Sequence, residues 1–244
     1  MGSNQTALSK YLKMAEDPRE TEVKFCVCNL LQVETDLRRL KAHLIAPRTL
    51  EVNLRFDTPT CDLQHDGRVL RLRRDETARL TYKDNNRHIE GAVTRREIEF
   101  VVDDFDSARQ FIEALGYDVV FIYEKYRTTY ALSSQTSEVL RDLRGLEAHI
   151  MLDELPYGNF VEIEGELETL RPIADGLQLD WDKAVPASYH SLFDRLHKSR
   201  KLTFRDLTFE NFANVAGTGA GKALRVSPED MQVEFADHKA EEYE

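Results

Sequence analysis

Like-charged residues stand two apart in several strand-like segments of this chain: Glu20 and Glu22, Arg71 and Arg73, Glu97 and Glu99, Lys125 and Arg127, and Glu162 and Glu164. Lys24, Arg55, Lys83, Arg95 and Asp153 fit the same scheme. Residues i and i+2 of a strand point to one face. The residues between them, such as Leu72 and Ile163, are apolar and must face something apolar. A solvated sheet face is the plain alternative. Such a face mixes Lys, Glu, Thr and Ser, whereas here acids and bases fall on separate strands and the bases favour Arg. The guanidinium fork matches phosphate oxygens. Clustered carboxylates repel one another unless a cation neutralises them, and Mg²⁺ prefers oxygen ligands. One lumen holding both sets would suit a metal–polyphosphate complex.

The elements that must position these residues are mostly strands. Alternation predicts strands at Glu20 to Cys28, Leu50 to Asp57, Val69 to Arg74 and Ala78 to Lys83, with a break at Asp84-Asn85-Asn86. Further strands are expected at Thr94 to Val101, Val119 to Leu132, Glu147 to Leu152 and Asn159 to Glu166. Helical spacing is read over residues 33 to 45, Ser107 to Leu115 (stopped by Gly116) and Asp182 to Arg200. The fold class expected is α+β, an antiparallel sheet of about eight strands, closed or nearly closed, with flanking helices. Residues 1–17 read as a flexible lead with a short helix. Residues 18–200 read as the barrel domain, and 201–244 as a tail that is partly flexible, loosely docked or mobile from about 205.

Composition bounds the function. The chain has 244 residues and a formal net charge of −11, which disfavours a nucleic-acid polymer as partner. No apolar run approaches the ~20 residues of a membrane helix, and the polar start lacks a secretory h-region. A soluble, cytoplasmic protein is expected. Cys26, Cys28 and Cys61 lack zinc spacing and read as buried strand thiols in a reducing compartment. His43, His65, His88 and His149 read as surface or loop residues.

The ordered motifs resemble those of the CYTH superfamily, the triphosphate tunnel metalloenzymes. Glu20-Thr21-Glu22-Val23-Lys24 is similar to the family's Glu-x-Glu-x-Lys. Leu54-Arg55-Phe56-Asp57-Thr58 resembles its Tyr-Phe-Asp-Thr strand end, and Leu70-Arg71-Leu72-Arg73, Leu80-Thr81-Tyr82-Lys83 and Arg95-Arg96-Glu97-Ile98-Glu99 follow. Lys125-Tyr126-Arg127-Thr128-Thr129-Tyr130, Asp153, and Gly158-Asn159-Phe160-Val161-Glu162-Ile163-Glu164 come next. Ser188-Tyr189-His190-Ser191-Leu192-Phe193 resembles a C-terminal helix motif. The resemblance spans about residues 18 to 197. Arg55 departs from the usual tyrosine, and Glu51 and Asn53 alter the strand before it.

The resemblance implies an eight-stranded antiparallel tunnel. It implies Mg²⁺ or Mn²⁺ held by Glu20, Glu22, Asp153, Glu162 and Glu164, with Glu97 and Glu99 holding or orienting it through water. Lys24, Arg55, Arg71, Arg73, Lys83, Arg95, Lys125 and Arg127 would grip the triphosphate, and Glu20, Glu22, Lys24 and Lys83 would carry the catalysis. The expected activity is hydrolysis of tripolyphosphate or of a nucleoside or thiamine triphosphate. One alternative is a class IV-type adenylyl cyclase, although residues 11–19 lack the His-Phe pair common in bacterial members. The other is a non-catalytic polyphosphate- or nucleotide-binding module. The expected partner is a triphosphate-containing small molecule, without membrane or nucleic acid; a homodimer is left open.

Overall fold

The computed structural model describes residues 18–216 and 224–230. The expected N-terminal lead and the Gly217–Gly221 stretch lie outside the described residues. Eight strands close into one barrel: β1 (Arg19–Val27), β2 (His43–Asp57), β3 (Val69–Arg74), β4 (Ala78–Ile89), β5 (Ala92–Val102), β6 (Asp118–Ser133), β7 (Glu147–Leu155) and β8 (Gly158–Gly165). Their order around the barrel is β1-β5-β4-β3-β2-β6-β7-β8, and every neighbouring pair is antiparallel. Closure leaves no sheet edge and separates an inside from an outside.

Among the described residues, these α-helices flank it: α1 (Leu30–Arg39), α2 (Asp62–His65), α3 (Phe105–Ala114), α4 (Leu167–Gly176), α5 (Tyr189–Arg200) and α6 (Phe209–Ala216). Local chemistry sets their ends. Asn29 caps α1 by accepting from the N–H groups of Leu31 and Gln32, Asp104 caps α3, and Ser188 caps α5. Gly116, at φ 93°, supplies the left-handed residue after α3.

The apolar residues between the lumen charges pack outward. Val23, Ile150, Leu152, Val161 and Ile163 meet Val33 and Leu37 of α1 and Leu170, Ile173 and Ala174 of α4. Leu54, Phe56 and Leu72 meet Ile112 of α3. A third cluster joins Cys26, Phe121, Tyr123, Leu155 and Phe160 of the strands with Tyr189, Leu192, Phe193 and Leu196 of α5.

Several sequence expectations need correction. The helix expected over 33–45 ends at Arg39. Lys41 then takes a left-handed φ of 62°, and residues 43–49 pair with β6 through an irregular register around Pro47. Asp84-Asn85-Asn86 does not end β4. Asn85 adopts φ 52° and the strand carries the irregularity as a bulge between Asp84 and Arg87. The helix expected from Asp182 begins only at Tyr189; before it lies a short 3₁₀ turn at Trp181–Lys183. No helix was expected over 167–176, where Pro172 lacks the N–H of an interior helical bond. Of the three thiols, Cys26 alone is buried, while Cys28 is exposed and Cys61 intermediate.

The described part of the C-terminal segment is built into the barrel's end. Leu207 is fully buried. Its N–H donates to the Ile122 carbonyl at 2.9 Å and its carbonyl accepts from Glu124 N–H at 2.9 Å. Phe212 and Leu224 join the same cluster. We expect Leu207→Ala to lower unfolding free energy by about 2–5 kcal/mol, read as a drop in the denaturant midpoint. A loss below about 0.5 kcal/mol would show the segment to be an ornament.

Candidate functional site: a charged lumen

The inward-facing residues enclose a cavity of about 370 Å³. β1 contributes Glu20, Glu22 and Lys24. β5 contributes Arg95, Glu97 and Glu99, and β8 contributes Glu162 and Glu164. Arg55, Arg71, Arg73, Lys83, Lys125 and Arg127 line the rest. Fourteen of the fifteen expected site residues therefore line one space. The exception is Asp153, which is fully buried behind that lining. A larger groove of about 1290 Å³ lies outside the barrel around Trp181 and α1.

Acids and bases are not segregated as the strand pattern suggested; they interlock. Lys125 Nζ donates to Asp153 Oδ2 at 2.9 Å, and Arg127 Nε to Oδ1 at 2.6 Å. Tyr189 Oη donates to Asp153 Oδ2 at 2.8 Å. Glu162 lies between Lys24, at 3.1 Å, and Arg127, which hold its carboxyl well below the ordinary range against the effect of burial. Arg73 reaches Glu99 at 3.2 Å, and Thr81 Oγ1 donates to Glu99 at 2.7 Å. The structure thus places Asp153 and Glu99 among the bases, with their oxygens paired to Lys and Arg side chains.

Glu20, Glu22, Glu97 and Glu164 form the acidic pole. Glu22 stands opposite Glu164 across the β1–β8 ladder. Glu20 pairs with Lys83, Glu22 with Arg95 at 2.5 Å, and Glu97 with Lys83 at 3.0 Å. Crowding shows in the protonation. Burial lifts the Glu20 carboxyl, reinforced by a hydrogen bond and charge from Glu97. Burial, followed by the charge of Glu20, pushes Glu164 up to about 7. Among the described residues no three His, Cys, Asp or Glu side chains converge as a ready metal cage; Lys83 and Arg95 occupy the carboxylates instead. The donor set, four carboxylates that repel one another, fits a hard divalent cation.

Sequence reading missed several residues in the lining or directly behind it. Glu51 is buried and faces Lys125 at 3.5 Å, Arg73 at 3.5 Å and Arg127 at 3.9 Å. Burial opposes its ionisation, but these cations outweigh it and hold it at about 2. Its i+2 spacing to Asn53 and Arg55 was the available signal. Tyr123 and Tyr189 are covered, and Tyr123 accepts from Arg71 at 3.2 Å. His190 lines the cavity, with burial and then Arg55 lowering its pKa to about 4. Nothing in its spacing marked it, because α5 brings it from outside the strands.

A closed antiparallel eight-stranded barrel with a polar, two-signed lumen defines the class, and the comparisons agree. The CYTH domain model matches residues 18–182, and the chain belongs to that family. Its fold is similar to a Vibrio parahaemolyticus protein described as a candidate adenylate cyclase, with TM-score 0.61 and 20% identity over 73% of this chain and 99% of that one. A protein from Pyrococcus horikoshii OT3 gives TM-score 0.56 and 22% identity over 71% and 97%. A candidate adenylyl cyclase from Hippeastrum, described as having a dominant triphosphatase activity, gives TM-score 0.51 and 19% identity over 72% and 95%. No curated protein matches. Among the described residues no helix is long and apolar enough to cross a membrane.

Raising the Glu164 pKa above its ordinary 4.5 means that the folded state holds this proton more tightly than the unfolded state. The associated stability is present below pH 4.5 and is lost as pH rises through about 7. In EDTA at pH 8, Glu164→Gln should therefore raise stability, by at most ~3 kcal/mol, and at pH 4 it should change little. Equal effects at both pH values in thermal melts would contradict the crowding.

Proposed function

We propose that this chain is a divalent-metal-dependent triphosphatase that takes inorganic tripolyphosphate or an organic triphosphate into its lumen. The carrying observation is that one enclosed cavity presents four crowded carboxylates beside a wall of Arg and Lys. A pure anion binder gains nothing from the carboxylates, and a pure cation site gains nothing from the bases. The described triphosphatase activity of the Hippeastrum protein supports the reading by analogy of fold.

Arg71, Arg73, Lys125 and Arg127 would bind phosphate oxygens and stabilise charge developing in transfer. Asp153, Glu51 and Glu99 hold those cations in place. Lys24, fixed by Glu162 at 3.1 Å, stands at the junction of the two poles. Lys83 and Arg95 neutralise the acidic pole and can turn to phosphate when a cation replaces them. Glu20, Glu22 and Glu164, with Glu97, would hold Mg²⁺ or Mn²⁺, which supplies neutralisation of phosphate oxygens and acidifies water for attack. The low exposure of these side chains strengthens each of these interactions.

The test is product analysis with tripolyphosphate and with ATP, in Mg²⁺ or Mn²⁺. Orthophosphate is expected, abolished by EDTA and restored by either metal. Glu22→Gln and Arg71→Ala should each lower kcat by ~100-fold or more. Pyrophosphate with cyclic AMP would replace this reading with the cyclase. Tight binding with no product would replace it with the binding module.

A further inference from the structure

Arg73, Lys125 and Arg127 line the lumen, and a buried acid lies behind them. Glu51 is 4% exposed and stands opposite Lys125 in the β2–β6 ladder. Its oxygens lie 3.5 Å from Lys125, 3.5 Å from Arg73 and 3.9 Å from Arg127. Burial opposes its charge, but these cations keep it ionised. Arg55 takes no part, having neither a hydrogen bond nor an ion pair among the described residues.

The looseness of these contacts sets Glu51 apart from the other acids of the wall. Asp153 accepts from Lys125 at 2.9 Å, Arg127 at 2.6 Å and Tyr189 at 2.8 Å. Glu99 accepts from Thr81 at 2.7 Å and from Arg73 at 3.2 Å. No charged contact of Glu51 is closer than 3.5 Å, and its Oε2 has no hydrogen-bond partner among the described residues. Asn53, next on the same face of β2, is fully buried with both amide atoms unpartnered, as are Nε of Arg71 and of Arg73. Charge at a distance holds this layer, rather than closed hydrogen bonds. Its cations are therefore open to a better acceptor, and phosphate oxygens make charge-assisted bonds of about 2.7–2.9 Å. Asp153 already has bonds that short and would not yield in the same way.

We propose that Glu51 is an internal counter-anion that neutralises the basic wall of the empty lumen and competes with an entering phosphate chain for Lys125, Arg127 and Arg73. The proposal rests on the triphosphatase reading and adds a residue that limits its affinity. No particular orientation of the chain is needed, since all three cations line the cavity. Without ligand, Glu51 offsets repulsion among the cations and stabilises the fold. With ligand, the buried carboxylate loses its partners and repels the phosphate through surroundings that water screens weakly. Its charge thus stabilises the free protein, weakens the complex and eases the departure of product phosphate.

Glu51→Gln in the full chain removes the charge and little volume. Melts without ligand, and calorimetric titrations with orthophosphate and with tripolyphosphate in EDTA, separate binding from turnover. The ligand-free melting temperature should fall while tripolyphosphate binds about tenfold or more tightly, and orthophosphate should shift in the same direction. In Mg²⁺, KM for tripolyphosphate should fall by a larger factor than kcat changes. A residue that only positions the cations would lower stability and affinity together. Should Glu51→Gln not fold, Glu51→Asp draws the carboxylate back by one methylene and should move both readouts the same way, by less. Unchanged or weaker tripolyphosphate binding in a folded variant would overturn the proposal, whether or not the wild type releases orthophosphate, and so would absence of binding in both proteins. Tighter binding with no turnover of any triphosphate would uphold the counter-anion and sink the triphosphatase reading.

Discussion

The pairing of charges inside the barrel is the constraint on which everything else depends. Asp153 has no exposure at all, and Lys125, Arg127 and the Tyr189 hydroxyl surround it. Arg127 continues to Glu162, and Glu162 to Lys24. Removing one member of such a chain strands a buried charge, at a cost of about 3–5 kcal/mol. The network therefore needs rigid strands in fixed register, and the strands need an apolar exterior. The helices packed outside provide it. The barrel is stable because its outside is a hydrophobic core, while its inside is a network of paired charges.

The same economy explains why the lumen is responsive. At the acidic pole, Lys83 and Arg95 balance the carboxylates only in part, since Glu20 and Glu164 remain lifted. At the basic wall the compensation is nearly complete, except at Arg55. A metal–phosphate complex would add positive charge where carboxylates crowd and negative charge where guanidinium groups do. Ligand and protein would exchange ion pairs rather than create them from water, which keeps reorganisation small.

The closed end is a different kind of construction. Phe121 and Phe160 point inward like the charges on their strands, yet they meet aromatic residues of α5 and, with Leu207, Phe212 and Leu224, form a plug. That plug brings Ser188, Tyr189 and His190 to the cavity, so a segment distant from the strands shapes what the lumen can accept. Tyr189 links the two roles by capping Asp153 while its ring lies 4.2 Å from Lys24.

Much of this was legible in the chain. Alternation located β3 to its terminal residues and placed Glu20, Glu22, Arg71, Arg73 and Lys125 on an inward face, because a strand's period of two is local backbone geometry. It misled at Leu44 and at Asn85, where left-handed residues and bulges override pattern, and Pro172 concealed a helix whose stability comes from burial of Leu170 and Ile173. Which acid meets which base was beyond it. Arg95 and Glu22 are 73 residues apart, and the contacts of Asp153 with Lys125 and Arg127 arise only when the barrel closes. The sequence by itself determined which residues of each strand share a face; the tertiary structure decided their partners and what α5 adds to the lumen, because the order of strands around a closed barrel is set by long-range packing that no local period encodes.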